Sequence, residues 1–118
     1  MDTVGEEVEQ DRVLAEIAIE PVGEGGNHGS LISEAVAALR DPALRVHVGP
    51  LATIVEGSFA DVIHAVQRAH QTAASKSERV VTNVRIESKR GGLSLEERGA
   101  TAEALEADSL YPEATETT

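Results

Sequence analysis

The stretch LATIVEGSFADVIHAVQRAH, Leu51 to His70, constrains the fold more than any other part of the chain. Its first six residues, Leu51 to Glu56, are mostly apolar with three β-branched positions, the composition of a buried strand. At Gly57-Ser58 the apolar period changes from two to about 3.6, so a strand hands over to a helix with almost no connection. Ser58 suits the N-cap, and Asp61 places negative charge in the first turn. Phe59, Val62, Ile63, Val66, Ala69 and Ala73 then form one apolar stripe. Glu56 ends the strand among apolar neighbours, which makes it the first functional candidate.

The rest of the chain falls into place around this unit. Arg12 to Glu20 alternates, with Val13, Ala15, Ile17 and Ile19 on one face and Leu14, Glu16, Ala18 and Glu20 on the other, a half-buried strand closed by Pro21. The loop GEGGNHG, Gly23 to Gly29, leads into a helix predicted from Ser30 to Arg40. Leu31, Ile32, Ala35, Val36 and Leu39 face inward on it, and Asp41-Pro42 stops it. Leu44 to Val48 alternates again, and Gly49-Pro50 separates it so briefly from the strand at Leu51 that a hairpin follows. Arg79 to Glu87 is a fourth strand, with Val80, Thr82, Val84 and Ile86 opposing Val81, Asn83, Arg85 and Glu87. Ser94-Leu95-Glu96-Glu97 fits a capping box opening a third helix, which Gly99 weakens.

This order is the split βαβ pattern of α+β, ferredoxin-like folds: a four-stranded antiparallel sheet in the order 4-1-3-2, both main helices on one face, and a C-terminal helix. Alternation places Glu16, Glu56 and Asn83 on the other face, beside Val81, Ala18, Ala52 and Ile54. An open sheet with that much apolar surface meets a ligand or another subunit.

Charge narrows the function classes. The chain of 118 residues carries 21 acidic and ten basic side chains, net −11. Nine of the acids lie before Arg12 or after Leu105, which leaves twelve to face the ten bases, about −2 for the body. The domain is therefore expected over residues 12–106, between a disordered acidic lead, 1–11, and a disordered acidic tail, 107–118. No basic stripe or aromatic platform appears, which argues against nucleic-acid binding. There is no cysteine, hence no disulfide framework or thiolate metal site. The N-terminus carries no basic-then-apolar leader, and no apolar run approaches a membrane span, so a cytoplasmic protein is expected.

Among the polar residues, Glu16, Glu56 and Asn83 can accept an amine, offset a cation or read a ring edge, with Ile54 as an apolar cover. The competing reading pairs Glu16 and Glu56 with Arg85 or Arg45 across the strands. His64 and His70 are six apart, which places them on different parts of the helix surface, so no metal is expected. Within GEGGNHG, His28 stands where a dinucleotide fingerprint needs its third glycine, so a connector is expected rather than a phosphate cradle. No nucleophile or oriented acid–base pair is evident, and an enzyme using His47 as base is disfavoured.

The runs AEIAIEPVG, GPLATIVEGSFADVIHAVQRAH and RVVTNVRIESKR together resemble the small thiamine-binding, YkoF-like family, in the same order and spacing from about Val13 to Leu105. The resemblance implies ferredoxin-like subunits that associate into dimers and tetramers; no catalytic activity and no cofactor are expected. Thr53, Glu56 and Gly57 match the family's segment of Thr, two apolar residues, Glu and Gly; Thr82 with Asn83 matches the fourth strand, and Glu16 the carboxylate of the first. The chain departs at Ala18, where relatives commonly carry Ser, and at Ala52, where they often carry Gly. The implied ligand is thiamine or its hydroxymethylpyrimidine moiety, with Glu16, Ala18, Thr53, Ile54, Glu56 and Asn83 as candidate binding residues. The alternative is an oligomeric interaction or regulatory module without a small-molecule ligand.

Overall fold

The computed structural model describes residues 11–23 and 28–99. The expected lead (Asp11 apart) and tail, and positions 24–27 of GEGGNHG, lie outside the described residues. The elements are β1 (Arg12–Pro21), α1 (His28–Ala37), β2 (Arg45–Val48), β3 (Thr53–Ser58), α2 (Phe59–Ala74) and β4 (Val80–Glu87). A further helical segment, α3, is described over residues 95–99. The strands form one antiparallel sheet in the order β2-β3-β1-β4, the split βαβ topology expected from the sequence.

Alternation along β1 sends Val13, Ala15 and Ile17 to the side covered by the two long helices. There they pack with Val55, Leu39, Val62, Ala65 and Ala69. Four fully buried small or β-branched residues on α2, Val62, Ala65, Ala69 and Ala73, let its axis approach the sheet and α1 closely. Leu31 and Ala35 of α1 meet Ala73 in a second cluster. Ser58 is the N-cap of α2, its Oγ accepting from the Asp61 N–H at 3.2 Å.

Several boundaries differ from the expectation. β3 begins at Thr53, so Leu51 lies outside it and is 91% exposed, and the hairpin is closed by the Gly49 N–H donating to the Ala52 carbonyl at 3.0 Å. Gly57 and Ser58 do not interrupt the strand; they pair with Val13 and Arg12. Gly57 faces the helix side, where a Cβ would collide with the Leu44 side chain, so its role is close packing rather than strand breaking. α1 starts two residues earlier than expected and ends at Ala37. The next turn is tightened by Leu39 donating to Val36 and Arg40 to Ala37, and Asp41 Oδ1 then accepts from the Ala43 N–H. Phe59 and Ile63, placed on the core stripe by periodicity, are substantially exposed, as is Ile32 of α1. Small alanines bring the helices so near the sheet that larger flanking residues are displaced to the rim.

Candidate functional site

The face opposite α1 and α2 is not open along its whole length, as alternation alone predicts. After β4 the chain reverses at Gly91 and Gly92, both with positive φ, a conformation that favours glycine. The Leu93 N–H then donates to the Arg12 carbonyl at 2.9 Å, and Leu93 is buried. Ser94 Oγ accepts from the Glu97 N–H at 3.0 Å and starts α3, which lies over the end of this face and buries Leu14.

Glu56 is the anchor of this strap. Only 3% exposed, it accepts from Arg12 Nε through Oε2 at 2.8 Å and from the Leu95 N–H through Oε1 at 2.8 Å. Arg45 lies 3.6 Å from the same Oε1, and Arg12 also donates to the Glu56 carbonyl at 3.2 Å. A buried carboxylate supplied with this many donors is structurally satisfied. Of the two readings for Glu56, the geometry therefore realises the cross-strand pairing with Arg45 and adds Arg12. Arg45 in turn holds Glu96 by two hydrogen bonds, at 2.6 and 2.8 Å. The hydrogen bond from Arg45 is the main cause that keeps the Glu96 carboxyl below its ordinary range, and the same bond raises Arg45. Lys89 to Glu97, and Arg98 to Glu87 at 3.0 Å, complete the fastening.

Between the strap and the sheet lies a cleft of about 200 Å³, with Leu14, Ile54 and Leu95 as apolar lining and Glu16, Arg85, Glu87, Arg98 as polar rim. Glu16 sits at its centre in register, with Ile54 on one neighbouring strand and Arg85 on the other. Although Arg85 is its register partner, no cation lies within 4.0 Å of the Glu16 carboxylate among the described residues. An exposed, unpaired carboxylate beside an apolar floor can hold a cationic or amine-bearing ring, stacking its flat face on Ile54 and Leu95.

The six candidate residues thus separate. Glu16 and Ile54 share the cleft. Ala18 and Asn83 form the next register pair along β1 and β4, with Asn83 exposed and Ala18 half-buried. Glu56 belongs to the strap's anchor. Thr53 is buried on the helix-covered side, the direction its alternation implies. Sequence reasoning missed Arg12 and the strap. Arg12 reads only as the first residue of a strand, whereas the capping box at Ser94 and the paired glycines before it did signal an element turning back. The histidines remain apart: His70 Nδ1 lies 2.6 Å from Thr82 Oγ1 across the helix–sheet boundary, and His47 is exposed on β2. Among the described residues no group of three or more His, Cys, Asp or Glu could hold a metal ion, and no helix is long and apolar enough to cross a membrane.

Comparison with known proteins adds to this geometry. A family model described as thiamine-binding protein matches residues 15–103. A UPF0045 protein of Methanocaldococcus jannaschii is 27% identical over 79 residues, 67% of this chain and 79% of that one. A UPF0045 protein of Mycobacterium bovis is 30% identical over 80 residues, 67% of this chain and 78% of its own length. Among solved structures, a Thermotoga maritima protein provisionally assigned to thiamine biosynthesis or salvage superposes with a TM-score of 0.69 at 26% identity, covering 77% of this chain and 98% of that one.

Proposed function

The chain belongs to the thiamine-binding protein family, and from that premise we propose that it is a non-catalytic, cytoplasmic binding protein for thiamine or its hydroxymethylpyrimidine moiety. The observation that carries this reading is the unpaired Glu16 carboxylate beside the apolar lining of Leu14, Ile54 and Leu95. Thiamine presents a cationic thiazolium and an aminopyrimidine. Glu16 offsets the positive charge or accepts from the amine, Ile54 covers a ring face, and Asn83 lies one register pair further along to read a ring edge. Ala18, without a hydroxyl, contributes contact only. Glu56 acts at one remove, by holding the strap that forms the cleft's other wall.

The cleft of about 200 Å³ is smaller than the roughly 300–1,000 Å³ of most small-molecule sites. A single pyrimidine ring suits it, and a larger ligand needs a further wall. The uncovered part of the sheet face, with Val81 exposed beside Ala18 and Asn83, suits a second copy of the chain as that wall, in a dimer or tetramer.

Calorimetry with thiamine and with hydroxymethylpyrimidine tests the proposal. Heat is expected from at least one of them, and no heat or thermal shift at millimolar ligand would overturn it. The alternative, an interaction module without a small-molecule ligand, is favoured by one observation: Glu56 is already fully engaged. On that alternative, alanine at both Glu16 and Glu56 changes assembly and leaves any ligand response untouched.

A further inference from the structure

The cleft beside Glu16 carries a second unpartnered charge. Arg85 of β4 is exposed, lines the cleft and is the register partner of Glu16 on the neighbouring strand. Among the described residues it forms no hydrogen bond and no ion pair. The other two charged groups of the lining are spent on each other, since Arg98 Nε stands 3.0 Å from Glu87 Oε1. One carboxylate and one guanidinium, opposite each other on adjacent strands, are left to face a ligand.

Such a pair selects a ligand that is itself dipolar, with a donor at one end and an anion at the other. A plain cation satisfies Glu16 but is repelled by Arg85, and a plain anion meets the reverse situation. In hydroxymethylpyrimidine the amine and the hydroxymethyl group stand on adjacent ring carbons. With the amine on Glu16, a phosphate esterified to that methylene is directed one strand away, to the position of Arg85.

We propose that Arg85 is a specificity-determining residue that binds a phosphate, so that the ligand class of this cleft is a phosphomonoester of the aminopyrimidine rather than the free alcohol. The assignment rests on Glu16 holding the amine, as proposed for the site, and adds the group at the ligand's other end. A guanidinium donates two parallel hydrogen bonds to phosphate oxygens, stronger than any it gives a neutral hydroxyl. The volume agrees: one ring suits the cleft of about 200 Å³, and the phosphate stays at its mouth, where Arg85 is exposed and desolvation costs least. In thiamine the hydroxyl belongs to the second ring, so a phosphate there is directed away from Arg85 while the amine is on Glu16.

Calorimetry of the full chain with hydroxymethylpyrimidine, its monophosphate and inorganic phosphate tests the assignment. The monophosphate is expected to bind about tenfold more tightly than the alcohol, the equivalent of a charge-assisted hydrogen bond, and the gain should shrink at high salt. Arg85→Gln should abolish the preference while keeping the affinity for the alcohol within about twofold and Tm unchanged, since the side chain is exposed and unpaired among the described residues. Arg85→Lys should recover part of the preference, because it keeps the charge but not the paired donors. Inorganic phosphate should give no heat where the monophosphate saturates, since Glu16 repels an anion that brings no amine. Equal binding of the alcohol and the monophosphate by the unmodified chain, a preference that survives in Arg85→Gln, or inorganic phosphate that competes as well as the monophosphate would overturn the assignment and leave the Glu16 reading in place. No heat from either pyrimidine overturns the assignment too, and no heat from thiamine as well overturns the Glu16 reading with it.

Discussion

Replacing Glu56 by alanine removes the acceptor of both Arg12 and the Leu95 N–H, and leaves the Leu95 N–H without that partner. Arg12 is about half-exposed and recovers water, so the cost falls below that of a fully buried pair, at about 2 kcal/mol, readable from urea unfolding. Glu16→Gln should leave stability within about 0.5 kcal/mol, since the side chain is exposed and has no ion-pair partner among the described residues. On the proposed reading Glu56 and Glu16 therefore part: the first is expected to stabilise the fold and the second to meet the ligand. Gly57→Ala forces Leu44 to move. The obstructing atom is the end of a flexible side chain, so a loss of about 1 kcal/mol is expected, at the lower end of overpacking penalties. A loss above about 3 kcal/mol would show that Leu44 has nowhere to go.

At the scale of elements, the strap formed by residues 93–99 is the feature that alternation did not reveal. Periodicity reports which side chains share a face of their own strand; it does not report what later folds onto that face. Hence the sheet order, the two long helices, the Ser58 cap and the pairing of Glu56 with Arg45 were legible in the sequence, whereas the burial of Leu14 and the hydrogen bonds to Glu56 from Arg12 and the Leu95 N–H were not. Thr53 was legible in direction only: its parity places it with the helices, but the loss of pairing beyond Ile17 depends on where β3 begins. The strap also carries a pH dependence. Glu96 is depressed mainly by the hydrogen bond from Arg45, and a carboxyl depressed in the folded state contributes stability that is present above its unfolded value and lost as pH falls through the folded one. The protection factor of the Leu95 amide, its exchange rate referred to the intrinsic rate at each pH, should therefore stay constant from neutral to mildly acidic pH and fall only below the ordinary carboxylate range. Glu96→Gln should remove part of that acid response, and high salt should mimic it because the pair is exposed. A protection factor at Leu95 that falls between pH 7 and 6 would contradict this assignment.

At the scale of the whole molecule, a four-stranded sheet carries its two long helices on one side and, on the other, a cleft walled by the strap, with Glu16 as its unpaired carboxylate among the described residues. Net charge contributes little to cation attraction at this cleft, since most of the excess acidity falls near the chain ends and the body is close to balanced. The restricted volume of the cleft makes the ligand response and self-association linked quantities: thiamine should shift the association equilibrium if a second copy completes the wall, which sedimentation with and without ligand reads directly. The most direct measurement is a thiamine titration followed by amide-resolved NMR on the unmodified chain and on Glu16→Gln. The predicted result is a set of shifts at Leu14, Glu16, Ile54, Arg85 and Leu95 that saturates in the unmodified chain and is at least tenfold weaker in the variant, with unchanged Tm. Saturating shifts of equal affinity in both proteins, or shifts absent from those five residues, would contradict it.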